Sequence, residues 1–264
     1  MSIIDDTVNR LVAARRHGQT TPAGGAALPD ADAAYAVQAG VGRALGWFAG
    51  LPAGTAPHHW KSGGPSRQAT LTHAALPPHG VWASPADARK WPFHLRGIEA
   101  EVALRLAQDV DAERAASLDV AAATRLVDGM CVSIELVDSR WTEALDAPAL
   151  AKLADLQSHG ALVLSTWTTF APRDWAAQRC IVNIGKQPTM EFVGTHSLGD
   201  PAFVLPPWVA WRSQAGSRKA GSPSECVPTN SMGGCLPMFT MHRCAAQSRG
   251  AKGVHSPSTR APCD

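Results

Sequence analysis

Gly97-Ile98-Glu99-Ala100-Glu101-Val102-Ala103-Leu104-Arg105-Leu106 is the stretch on which the fold turns, because its side chains alternate with period two. Ile98, Ala100, Val102 and Leu104 fall on one face of a strand, and Glu99, Glu101, Ala103 and Arg105 on the other. Cys131 to Val137 repeats the pattern: Val132, Ile134 and Leu136 oppose Ser133, Glu135 and Val137, which puts Glu135 on the less apolar face. Residues 115 to 127 have helical spacing, as does a short segment from Pro148 to Leu156, whose proline suits a first helical position. Strands are expected at Ala161 to Ser165 and near Ile181 to Ile184.

Toward the N-terminus, residues 2 to 16 read as an amphipathic helix, and Ala34, Val37, Val41 and Leu45 mark a second one after Asp30. From Gly50 to Trp91 the chain is rich in Gly, Pro and Ser, which predicts loops and short strands. The fold class is therefore α+β: a small N-terminal helical region over 1–50, then a strand-rich mixed domain over 51–211.

Residues 212 to 264 differ in character. They hold no Ile, Tyr or Trp, one Leu and two Val, but eight Ser and five Pro, a composition that predicts no core strand. We read them as an aberrant tail: out-of-frame sequence after a frameshift in a GC-rich gene, with a disordered extension as the alternative. The tail carries +5 of charge, leaving −3 on residues 1–211. Its one aromatic residue, Phe239, supplies no stacking surface, so no nucleic-acid partner is expected.

An apolar content of 45% and a charged content of 17% suit a soluble protein, and no apolar run reaches the ~18 residues of a membrane span. The N-terminus, with Asp5 and Asp6 early, does not read as a signal peptide. Only Cys131 and Cys180 lie outside the tail, which fits a reducing compartment, and a cytoplasmic location is expected.

Glu99 and Glu101, two residues apart on a strand, project the same way about 7 Å apart and can converge on one hard cation. Glu135 offers a third ligand, since it sits among Ile134, Leu136 and Val137, where an unpaired carboxylate is costly. An ordinary ion pair with Arg140 would account for Glu135 equally well. Three oxygen ligands without Cys or His point to Mg²⁺ or Mn²⁺ rather than zinc. His58 and His59 read as a solvated loop pair.

Five motifs, taken in order, carry a resemblance: Gly97 to Ala103, Ile134-Glu135-Leu136-Val137-Asp138-Ser139-Arg140, Leu153-Ala154-Asp155 with Ser158, Gly160 to Leu164, and His196-Ser197-Leu198-Gly199-Asp200-Pro201. Together with Asp32 to Gln38 they resemble the 2-keto-4-pentenoate hydratases of the fumarylacetoacetate hydrolase superfamily. The resemblance implies that superfamily's β-roll or distorted sandwich, a homo-oligomer, and a divalent cation held by Glu99, Glu101 and Glu135. It implies Lys61, in Trp60-Lys61-Ser62-Gly63, and Asp155 as catalytic residues and Ser158 as substrate-binding, with Lys152 competing for the lysine role. The expected reaction is addition of water to 2-hydroxypenta-2,4-dienoate, a small 2-oxo/2-hydroxy dienoate. Rivals are decarboxylation of a 2-oxo-3-enedioate, hydrolysis of an acylpyruvate, and an inactive relative. Leu156 departs from the family's amide at that place, and the family's closing strands are not recognisable after Trp211, so the domain reads as incomplete.

Overall fold

Ser2 starts the first helix, α1 (Ile3–His17): its hydroxyl accepts from the Asp5 N–H while the Asp5 carboxylate accepts in return, and Gly18 ends the helix at φ 60°. Asp30 caps α2 (Ala31–Ala44) by accepting from the Ala33 N–H at 2.8 Å. The apolar faces of both helices bury Leu11, Ala34, Val37 and Val41 against Trp141, Ala151 and Leu153. In this computed structural model, residues 1–51, 57–89, 91–108, 110, 113–114, 117–171, 173–183, 186, 188–194, 196–218 and 235–238 are described.

Strands β1 (Trp60–Gly63) and β2 (Thr72–Ala75) form an antiparallel hairpin. The main sheet is six-stranded and mixed. It contains β3 (Val81–Ala83), β4 (Gly97–Leu106), β5 (Val127–Val137), β6 (His159–Leu164), β7 (Thr168–Thr169) and β10 (Cys235–Met238), in the order β10-β4-β5-β6-β3 with β7 beside β5. A separate hairpin joins β8 (Arg179–Val182) to β9 (Met190–Val193). The short helices α3 (Val120–Thr124) and α4 (Ala149–Ala154) and the longer α5 (Leu205–Arg218) are the remaining α-helices among the described residues, beside several single 3-10 turns. Among the described residues no helix is long and apolar enough to cross a membrane.

The less apolar face of β5 is the buried one. Ser133 and Glu135 are 1% exposed, whereas Val132 and Ile134 on the opposite face are 62% and 41% exposed. Polar side chains are thus turned into the protein, a costly arrangement unless they have partners or a ligand.

Two expectations are corrected, and two observations concern the C-terminal part. The helix read over 115–127 is limited to Val120–Thr124 within the described residues, because β5 begins at Val127. Pro148 is the N-cap of α4 rather than its first residue, and that helix stops at Ala154. The boundary at 211 falls inside α5: Trp211 lies 5.5 Å from Trp60 and 4.9 Å from Tyr35, ring centre to ring centre, so this helix closes over β1. Aromatic contacts of this kind contribute about 0.5–1.5 kcal/mol each beyond their buried area. Finally, the tail does supply a strand. Cys235–Met238 pairs antiparallel with Val102–Arg105 through its backbone, which needs no apolar side chains, and as an edge strand it tolerates Pro237.

Candidate active site

Antiparallel pairing of β4 with β5 sets Glu99 opposite Glu135 and Glu101 opposite Ser133, so the three glutamates share one sheet face. Each offers a carboxylate oxygen, and these oxygens lie within 4.8 Å of one another. Glu101 and Glu135 are buried and Glu99 is partly exposed. The sequence therefore identified three acids that the structure does bring together.

Lys61 reaches the cluster from β1. Its Nζ donates to Glu135 Oε2 at 2.5 Å and to the Gln157 carbonyl at 3.2 Å. Burial works to discharge this ammonium, but Glu135, followed by Glu99 and Glu101, outweighs it and holds Lys61 above the usual lysine value. Burial likewise pushes Glu135 up, and Lys61 and His159 overcome that push and hold it below the usual carboxylate range. The two directions agree, so this is an ion pair. Glu135 thus has Lys61 as its partner, and Arg140, the alternative partner, is bound elsewhere.

For Glu101 the charge of Lys61 is too little relief. Burial and then the charge of Glu135 raise it well above the ordinary carboxylate value, and its Oε1 is a buried acceptor without a hydrogen-bond partner. A buried lone pair facing two other carboxylates is the condition that a hard divalent cation satisfies. The oxygen-only donor set fits Mg²⁺ or Mn²⁺, and Glu99, Glu101 and Glu135 would hold it.

Lys61 depends on an unusual turn. Leu156, Gln157 and Ser158 have φ of 55°, 57° and 61°, three consecutive non-glycine residues in the left-handed region, at a cost of about 1–2 kcal/mol each. Three anchors hold the turn. The Asp138 N–H donates to the Ser158 carbonyl at 2.8 Å, Lys61 donates to the Gln157 carbonyl, and the Gln157 amide donates to the Thr72 hydroxyl. Ser158, 3% exposed, is part of this turn.

Asp155 does not belong to it. Its carboxylate accepts from Arg140 Nε at 2.8 and 2.9 Å, from the Arg140 N–H at 2.9 Å and from Arg15 Nη2 at 2.8 Å. Two guanidiniums and a backbone amide engage both of its oxygens and tie Asp155 into a buried ion-pair network. Lys152 also lies apart, donating to the Leu145 carbonyl at 2.8 Å.

Two residues were missed by sequence reasoning. His159, 2% exposed, places Nδ1 2.8 Å from Glu135 Oε1. Because a carboxylate can only accept, Nδ1 carries the proton, and Nε2 is left as a buried acceptor without a partner. Ser133, directly across from Glu101, also has a buried hydroxyl without a partner. Ser133 was legible as a polar residue on the glutamate face; His159, a lone histidine before Gly160, carried no signal.

No family profile matches the sequence, and no curated protein does. Solved structures do match, among them two of the same enzyme. One is "4-oxalocrotonate decarboxylase from Pseudomonas putida G7" complexed with calcium and acetate, at 14% identity and a TM-score of 0.64, covering 90% of this chain and 86% of that one. The other is the same enzyme complexed with magnesium and adipate, at 13% identity with the same TM-score and coverage. At that identity the likeness is one of fold, and the chain has the strand-rich α+β architecture of the fumarylacetoacetate hydrolase type.

Proposed function

We propose that this chain is a metal-dependent lyase that hydrates 2-hydroxypenta-2,4-dienoate to 4-hydroxy-2-oxopentanoate. The observation that carries the reading is the convergence of Glu99, Glu101 and Glu135 on one face, with the Lys61 ammonium on the third of them. A divalent cation held there would supply Lewis acidity toward the carboxylate and 2-oxo oxygens of the substrate.

The residues of the chain do the rest. Lys61, kept charged by its acidic neighbours, delivers a proton to C5 as the 2-hydroxyl gives up its own and becomes the 2-oxo group. Water then adds its oxygen to C4 while C3 gains a proton, so the net change is one water added. Glu135 and the Gln157 carbonyl aim the ammonium, and its burial shields it from bulk solvent.

The names of the similar structures favour a second reading, decarboxylation of a 2-oxo-3-enedioate. There the electron pair of the broken C–C bond would be delocalised into the 2-oxo group before carbon is reprotonated, with the same acids and lysine. The two are separated by giving the purified chain, with MgCl₂, each substrate in turn. Loss of dienoate absorbance that vanishes with EDTA and with Glu99→Ala supports hydration. CO₂ release from the enedioate, without dienoate turnover, supports the second reading, and neither activity in folded protein refutes both.

A further inference from the structure

A cavity of about 550 Å³ opens between the last turn of α1, the turn after α2, the Pro77–Gly80 and Trp91–His94 segments and the start of β6. None of Glu99, Glu101, Glu135 or Lys61 lines it; His159, whose Nδ1 bonds Glu135, stands in the wall between the cavity and the carboxylate cluster. We propose that it binds a small organic carboxylate with a flat apolar body.

Charge argues for the anion. Arg15, Arg16 and Arg140 stand in the wall with a single acid, Asp138, and behind the wall Asp155 is shared by two of the three arginines. The sum of these groups is +1. Helix-end arginines usually reach solvent or the last carbonyls. Arg16 does so, donating to the Ala44 carbonyl, but Arg15 turns inward to Asp155. There burial, and next the charge of Arg140, bring its guanidinium down to about 10, and its Nε–H has no partner. The cavity wall therefore holds more positive charge than its own acids offset, and a carboxylate corrects that imbalance.

Ring geometry argues for the flat body. The Arg15 guanidinium lies 4.9 Å over the Trp47 ring, His79 stands 6.5 Å from Trp47, and His79 stacks on Trp91 at 5.7 Å with 28° between planes. These rings make one aromatic wall beside the arginines. The volume is within the roughly 300–1,000 Å³ range of small-molecule sites.

The test is calorimetric titration of the full chain with benzoate, with uncharged benzamide and with inorganic phosphate. Saturable benzoate binding is expected, about tenfold or more weaker for benzamide and for phosphate, since a charge-assisted hydrogen bond or the ring contact is then missing. Arg15→Met should abolish it; because that change disturbs a buried ion pair, Arg16→Gln, at a surface arm, is the second variant and should weaken it several-fold. Glu99→Gln should leave it unchanged, which separates this site from the metal cluster. Absence of benzoate binding, equal binding of benzamide, insensitivity to Arg16→Gln, or loss with Glu99→Gln would each overturn the proposal.

Discussion

Replacing Lys61 with Met removes a charge while keeping most of the side chain's volume, and its effect on stability follows from the site geometry. Lys61 Nζ and Glu135 Oε2 are 2.5 Å apart, with side chains 8% and 1% exposed. At an effective dielectric of about 20 the attraction is about 7 kcal/mol, opposed by the cost of desolvating both groups. Removing one partner of such a pair typically costs about 3–5 kcal/mol, because the other charge stays buried and alone. Here the cost falls on an acid that already faces Glu99 and Glu101. The expected result is a drop in melting temperature of about 10 °C for a domain of this size. A divalent cation restores the lost positive charge, so MnCl₂ should raise the melting temperature of Lys61→Met more than that of the parent, with NaCl held at matched ionic strength. A loss under about 1 kcal/mol, or equal Mn²⁺ responses in parent and variant, would refute the argument that Lys61 is the counter-charge of a cation site.

Three more outcomes are expected. Glu101→Gln removes a carboxylate that its neighbours repel, so it should stabilise the metal-free protein by about 1 kcal/mol while abolishing the Mn²⁺-dependent rise in melting temperature; a destabilised variant that keeps its Mn²⁺ response would contradict both halves. Asp155→Asn leaves Arg140 and Arg15 without their carboxylate and should cost about 3–5 kcal/mol in urea unfolding, yet Mn²⁺ affinity by titration should be unchanged in the folded variant, as befits a structural residue. Burial brings His73 down to about 3 and His196 to about 4, whereas both sit near 6.5 when unfolded. The unfolded chain therefore binds more protons from pH 4 to 6.5, and stability is full above that window and lost as pH falls through it. The slope is about 1.4 kcal/mol per pH unit for each histidine, and His73→Gln should reduce the pH dependence of urea unfolding by one such step.

Side-chain alternation carried the fold because it reports a local geometry. Glu99 and Glu101 are two residues apart, and wherever β4 lies in the protein they share a face. Which face is buried was less legible: Val132 and Ile134 look like core residues, but they point outward, and the polar side is the one turned in. Pairing across the chain was less legible still. Arg140 is five positions from Glu135 and made a natural partner, whereas Lys61, 74 positions away, is the actual one. The strand at Cys235–Met238 was hidden because edge pairing uses backbone groups that every residue but proline possesses, so a poor composition does not forbid it.

The turn at Leu156–Ser158 shows why the surroundings of Lys61 resisted reading more than the glutamate cluster. Left-handed backbone is usually announced by Gly or Asn, and none of Leu156, Gln157 or Ser158 is either. Their conformation is imposed by distant partners, Asp138, Lys61 and Thr72, none of which is near in sequence. The same turn separates two acids that sequence reasoning had placed in one site. Before it, Asp155 is committed to Arg140 and Arg15; just after it, His159 is committed to Glu135. A chain that continued helically past Ala154 would not have the Gln157 carbonyl under the Lys61 ammonium. The strain of three left-handed residues is thus tied to the placement of the Lys61 ammonium.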